Sequence, residues 1–252
     1  MTQLTVVGLG VREFDQLTLQ GLAALKNADQ VLFLSTTPER TQQKLREHEI
    51  QNCENLRPLY RDGAIDIENY KALLKRIVSA CKKNSRVCVL LPGHPRIGVT
   101  LVCWLEKLKE TLAIELSVIE GISSFCAMIN DLAIDPLEHG VSLLDANRIL
   151  QRNQPIDPGI DCFIYHVCSI GVSPTHLSDA SRDNRLDLLQ RKLQQHYPES
   201  HTVTLISSGR GDGETTSLST STVGNLQSLL PEIHFGTTLY IPARNRHEHP
   251  TF

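Results

Sequence analysis

The sequence predicts an α/β protein built in two halves, on three observations. Up to about residue 134, short apolar runs alternate with amphipathic segments of helical period, the rhythm of a mostly parallel sheet flanked by helices. One run, Val87-Cys88-Val89-Leu90-Leu91, stops at Pro92-Gly93-His94-Pro95, and a long helical pattern starts just beyond it. At Asp135-Pro136 the rhythm changes, and a differently patterned second half follows. With 252 residues there is chain for one large or two small domains. We divide it into an N-terminal α/β domain over 1–134, a polar and proline-rich linking region over 135–159, and a C-terminal α/β domain over 160–252.

The elements follow in order. Leu4-Thr5-Val6-Val7 reads as a strand entering Gly8-Leu9-Gly10, and Thr18 to Ala28 as a helix with its apolar side at Leu19, Leu22, Ala23 and Leu25. The third glycine of a dinucleotide fingerprint falls on Glu13, which sets a Rossmann dehydrogenase aside. Val31 to Leu34 is a second strand, Glu39 to His48 a polar helix, and Leu56 to Tyr60 a third strand. Asp66 caps a helix whose apolar face is Tyr70, Leu73, Leu74, Ile77, Val78 and Cys81. After the central strand, Pro92 and Pro95 preset φ, and Gly93 lets the backbone turn sharply at the sheet edge where open α/β folds bind small ligands. A helix over Leu101 to Leu108 and a strand over Ile114 to Ile119 lead to Gly121-Ile122-Ser123-Ser124. There a serine caps the next helix, and free amides favour a carboxylate. The second half carries strands near Cys162 to Val167, Val203 to Ser207 and Thr238 to Ile241, with helices near Leu186 to His196 and Val223 to Leu230. The glycine-rich loop Ser207 to Thr216 is either a mobile surface loop or a cover for a ligand.

Composition narrows the function classes. Hydrophobic residues make up 40% and charged ones 21%, values of a globular chain. A net charge of −3 without a basic block argues against nucleic acid as a partner. No apolar run is long enough to span a bilayer, and Met1-Thr2-Gln3-Leu4 does not open a signal peptide. Seven cysteines without a CxxC, mostly on apolar segments, read as reduced core residues of a cytoplasmic protein. There is no HExxH, and His247 and His249 read as a solvated tail, so no metal is expected.

The ordered landmarks VVGLG, LPGHP, EGISS and TTLYIPA resemble the tetrapyrrole (corrin/porphyrin) methylases, which use S-adenosylmethionine. Gly93-His94-Pro95, Glu120-Gly121-Ile122-Ser123 and Ile134-Asp135-Pro136 bring the resemblance closest to the borosin peptide backbone N-methyltransferases. The resemblance implies two α/β domains with the cofactor cleft between them, and S-adenosylhomocysteine as product. By position, it assigns cofactor contacts to Leu91, Gly93, His94, Ile97, Val99, Ser123, Ser124, His166, Val167, Ser207, Ser208, Thr237 and Thr238. The His94 ring either touches the cofactor or braces the turn.

Transfer of a methyl group from a sulfonium is an in-line displacement that needs alignment, exclusion of water and a destination for the nucleophile's proton. A backbone amide is a poor nucleophile, because its nitrogen lone pair is delocalised into the carbonyl. The borosin enzymes supply an arginine and several tyrosines, and the matching segment here is Leu59 to Tyr70. Tyr60 and Tyr70 match two of the tyrosines and Gly63 the turn. Asp66 stands at the arginine position and Arg57 at a further tyrosine position. An aspartate has the wrong sign to stabilise an oxyanion. It acts either as a base or as a helix cap, with Arg57 or Arg61 taking the cationic role. The resemblance further implies a homodimer, and because the chain ends at Phe252 with no apolar repeat, a peptide substrate on a separate chain. Two alternatives stay open: a tetrapyrrole or other small-molecule acceptor, and a non-catalytic relative that only binds cofactor or peptide.

Overall fold

The computed structural model describes residues 1–210 and 213–244, which form two compact units. The first comprises 1–127 with the loop 209–215, and the second the remainder. The first unit runs β1 (Thr2–Gly8), α1 (Leu19–Lys26), β2 (Gln30–Phe33), α2 (Pro38–Glu47), β3 (Cys53–Asn55), α3 (Asp66–Cys81), β4 (Arg86–Leu91), α4 (Thr100–Leu108) and β5 (Ile114–Ile119), and α5 (Ser124–Asp131) leads out of it. Its sheet has the order β3-β2-β4-β1-β5 and every pair is parallel. Val7 lies level with Leu90 and Ile119, so the loops after β1, β4 and β5 leave one edge together.

The apolar runs are continuous because both faces of this sheet are covered. Leu4, Val6, Val87, Val89 and Leu91 pack on one side with Leu73, Ile77, Leu101 and Leu105 of α3 and α4. Val7, Cys88 and Leu90 pack on the other with Leu25 of α1 and Leu45 of α2. Thr18 caps α1, its Oγ1 accepting from the Gly21 amide at 3.0 Å.

Two expectations in this unit are corrected. The third strand is Cys53–Asn55, beside Val31–Phe33, and not Leu56 to Tyr60. Pro58 removes a ladder donor, and the Leu59 and Tyr60 amides turn back to the Leu56 and Arg57 carbonyls at 3.0 and 3.1 Å. Asp66 is not the cap of α3. Ile65 holds that position, and Asp66 is the first helical residue.

The second unit adds α6 (Pro136–His139), β6 (Val141–Asp145), α7 (Ala146–Arg152), β7 (Asp161–Tyr165), α8 (Leu186–Leu193), β8 (Thr202–Ser207), β9 (Ser217–Thr222) and β10 (Thr238–Ile241). The expected linking region 135–159 is therefore folded structure. Its sheet, β6-β7-β10-β8-β9, is parallel only between β6 and β7. The two strands with no clear sequence signal, β6 and β9, are its edges, and β9 reads SLSTST because half-exposed edges need little apolar surface. The helix expected over Val223 to Leu230 is a kinked 3-10 segment, Val223–Glu232, containing Pro231.

None of the seven cysteines forms a disulfide: 81, 88, 162 and 168 are buried, 53 is half-buried, and 103 and 126 are exposed. Burial pushes the Cys88 thiol up to about 12 and the Cys81 and Cys162 thiols to about 11. No helix among the described residues is long and apolar enough to cross a membrane.

Glu13 has a role that the failed fingerprint does not suggest. Its buried carboxylate, on a backbone with φ 54°, accepts from the hydroxyls of Ser35, Thr36, Thr37 and Thr41 and from the Thr36 amide, all within 2.6–2.9 Å. Burial opposes ionisation, yet the bonds from Ser35, Thr36 and Thr37 outweigh it and hold the carboxyl below its ordinary 4.5. A depressed folded value makes this stabilisation complete above that pH and lost as pH falls further. Glu13→Gln turns one acceptor into a donor facing donors and is expected to cost about 2 kcal/mol at neutral pH. In urea melts against pH, the gap to wild type should close below about pH 4.5.

Candidate functional site

In the first unit the loops after β1, β4 and β5 meet backbone to backbone. The Gly93 amide donates to the Gly10 carbonyl at 2.9 Å, and the Gly10 amide to Gly93 O at 3.2 Å. The Leu9 amide donates to Leu91 O at 2.8 Å. A Cβ on Gly8 would lie 2.5 Å from Gly121 N, and one on Gly121 would lie 2.4 Å from Gly93 O. Four glycines thus lock three loops into one ledge. Gly93 itself has φ +64°, and the space where its Cβ would point is open for 4 Å. That combination fits a ligand laid against the backbone.

Of the residues assigned here, Leu91 is buried, Val99 half-buried, and Ile97 exposed. His94 braces the turn: its Nδ1 accepts from the Arg96 amide at 3.1 Å, and its carbonyl from the Ile97 amide at 3.1 Å. Ser123 is buried, and its Oγ accepts from the Cys126 amide at 3.2 Å, the capping role expected of this pair. Ser124 begins α5.

The segment Leu59 to Tyr70 forms an aromatic and acidic cluster before β4. The Tyr60 hydroxyl donates to Asp66 Oδ1. The Tyr60 and Tyr70 rings meet edge to face at 6.0 Å, and Tyr70 packs at 6.1 Å on Trp104 of α4. Burial, seconded by the Asp66 charge, pushes the Tyr70 phenol up to about 12, so Tyr70 stays a neutral donor. Arg57 is committed to the turn, its Nη1 donating to Tyr60 O at 2.9 Å. Asn69, fully buried, bonds the Arg61 amide and carbonyl at 2.9 and 3.0 Å, and the Arg61 side chain is exposed. Neither arginine stands in for the expected cation by an observed contact. Trp104 carries no sequence signal that separates it from core.

In the second unit, strand register gathers the remaining assigned residues on one edge. Ile164 pairs with Leu239, Thr238 with Ile206, and Asp145 with Tyr165. The end of β7, the start of β10 and the ends of β8 and β6 therefore coincide, with His166, Val167, Thr237, Thr238, Ser207 and Ser208 along them. Val167 is wholly buried in the core. Thr237 Oγ1 donates to the His234 carbonyl at 2.6 Å, and Ser208 Oγ to Asp131 Oδ2 at 2.6 Å. In the loop 209–215, which belongs to the first unit, the Arg210 Nε and amide both lie 3.0 Å from Glu214 Oε2. Asp145, absent from the expected set, bonds His166 Nδ1 at 2.6 Å. Among the described residues no group of side chains suits a metal ion, and His247 and His249 lie outside them.

A parallel five-stranded sheet with a glycine ledge, followed by a mixed five-stranded sheet, is the architecture of a two-unit methylase. The family model for Tetrapyrrole (Corrin/Porphyrin) Methylases matches residues 3–210, and the chain belongs to that family. A solved uroporphyrin-III-C-methyltransferase from Thermus thermophilus superposes with a TM-score of 0.65 at 16% identity, covering 96% of this chain and 92% of its own. That likeness concerns the fold.

Among sequence relatives, a methyltransferase/ribosomally synthesized type I borosin cyclic peptide precursor of Gymnopilus junonius is 26% identical over 245 residues, covering 96% of this chain and 57% of its own length. A type II borosin precursor of Phlebiopsis gigantea is 24% identical over 201 residues, 79% of this chain and 35% of its own. The chain thus spans about a third to three-fifths of the curated relatives it matches.

Proposed function

We propose that this chain is an S-adenosylmethionine-dependent methyltransferase that N-methylates backbone amides of a peptide. The observation that carries the acceptor class is the Tyr60–Asp66 hydrogen bond beside Tyr70, set in a chain whose sequence relatives are borosin precursors. The glycine ledge fits the cofactor, because open space above Gly93 admits a ligand against exposed backbone. When bound there, the cofactor supplies an electrophilic methyl group.

The chain's own residues then manage the amide. Tyr60 Oη, its proton donated to Asp66, presents a lone pair to the substrate N–H. As the amide proton arrives on Tyr60, the phenolic proton passes to the Asp66 carboxylate, so no charge builds up on the tyrosine. Tyr70, held neutral, donates a hydrogen bond to the developing charge on the amide oxygen, which is the role left open by the missing arginine. Asp66 is thus the base and not the cap. The remaining assigned contacts, Ile97, Val99, Ser123, Ser124, His166, Val167, Ser207, Ser208, Thr237 and Thr238, belong to the same reading as cofactor residues. The resemblance to borosin enzymes extends it to a homodimer, and cysteines that form no disulfide support a reducing, cytoplasmic setting.

Calorimetry with S-adenosylhomocysteine tests the first half. Wild type is expected to bind in the micromolar range, and Gly93→Trp to lose that binding with its circular dichroism unchanged. Absence of heat for wild type purified free of cofactor overturns the methyltransferase reading. The second half is tested with methyl-labelled cofactor and a pooled decapeptide library. Mass spectrometry should place the label on backbone nitrogens, and label on a co-purified pigment instead moves the acceptor to a small molecule.

A further inference from the structure

We propose that Asp145 and His166 form a ligand-binding couple in the second unit, in which Asp145 orients the imidazole so that Nε2 accepts a hydrogen bond from an N–H or O–H of bound cofactor or methyl acceptor. The inference rests on the methyltransferase reading and adds to it a carboxylate and a side-chain role.

The tautomer comes first. Asp145 accepts at 2.6 Å from His166 Nδ1, and its other oxygen accepts from the Arg148 amide at 2.9 Å. Burial raises its carboxyl, but the His166 and Arg148 bonds outweigh that and keep it below the ordinary value, so it is an acceptor. The proton therefore sits on Nδ1, and in the neutral ring Nε2 carries the lone pair. Among the described residues Nε2 has no hydrogen-bond partner, while the His166 side chain is 43% exposed. His201 shows the opposite arrangement: its Nε2 is satisfied by the Pro242 carbonyl at 2.9 Å.

The backbone is held for this placement. His166 has left-handed torsions, φ 58° and ψ 30°, which a non-glycine residue adopts only when its surroundings enforce it. The enforcement is visible. The Ser169 amide donates to His166 O at 3.1 Å, Asn147 bridges Ser169 O and the Gly171 amide at 3.0 and 2.9 Å, and Asn184 Nδ2 donates to Val167 O at 2.8 Å. A brace that merely closed the turn would not need an aspartate on the neighbouring strand. A carboxylate–imidazole pair with its far nitrogen open orients a ligand donor.

Two substitutions separate this role from folding. Asp145→Ser keeps a hydroxyl to cap α7 but cannot reach the ring, and His166→Asn suits the left-handed backbone while removing Nε2. Wild type and both variants are titrated with S-adenosylhomocysteine, assayed with the decapeptide library, and followed by ring 15N NMR. A cofactor donor predicts a shift of the His166 Nε2 resonance on saturation and a roughly tenfold loss of affinity in both variants. An acceptor donor predicts unchanged affinity, a roughly tenfold rise in peptide KM, and recovery in Asp145→Glu. Wild-type binding with both affinity and methylation unchanged in the variants overturns the couple alone. No binding by wild type overturns the reading beneath it as well.

Discussion

Asp66→Asn is expected to slow methyl transfer about a hundredfold while leaving affinity for S-adenosylhomocysteine within about twofold. The asparagine amide is nearly isosteric and still accepts from the Tyr60 hydroxyl through Oδ1, so the aromatic cluster of Tyr60, Tyr70 and Trp104 should persist. What it cannot do is take a proton. Tyr60→Phe removes the group through which the proton passes and should cost as much, and the double variant should cost little more, because the pair acts as one unit. Asp66 is also the first residue of α3, where a carboxylate favours the helix by about 0.3–1 kcal/mol. A small loss of stability in Asp66→Asn is therefore built in. The base reading is distinguished by a rate loss far larger than that. If single-turnover rates of Asp66→Asn match wild type, the aspartate is structural and the proton leaves by another route.

Gly121→Ala is expected to destabilise the first unit by about 2–3 kcal/mol, through overpacking rather than torsion. The new methyl would sit 2.4 Å from Gly93 O and 2.7 Å from the Gly8 carbonyl carbon, and neither backbone can yield without parting the loops after β1 and β4. Separation of those loops also disturbs the ledge, so cofactor affinity should fall with stability. Gly63→Ala is the control: φ is +73° there and nothing lies within 4 Å, so only torsional strain of about 1–2 kcal/mol remains. Urea melts of the two variants, read beside binding calorimetry, separate clash from strain. Equal losses in both, with binding intact, would mean that the three-loop contact is not what shapes the site.

The first unit was legible in sequence because its strands are buried on both faces. Val87 to Leu91 must be apolar throughout, and the stop at Pro92-Gly93 marks where the covered sheet ends. Edge strands lack that obligation. No residue of β6 or β9 is fully buried, so VSLLD lay inside what read as a linking region and SLSTST inside no element at all. Proline explains the third error, since a run ending in Arg57-Pro58-Leu59 looks extended until the missing amide donor is counted.

The candidate site divides the same way. Sequence by itself determined the family and the loops that carry it, because glycine and proline at fixed spacing restrict the backbone locally. It also determined that Tyr60, Asp66 and Tyr70 share one segment. Only the tertiary structure decided which side chains meet. Asp66 meets Tyr60 across a turn held by buried Asn69, Gly121 touches Gly93 across 27 intervening residues, and Asp145 meets His166 across neighbouring parallel strands. The last two contacts follow from strand order and register, which the local pattern of a single sequence does not encode.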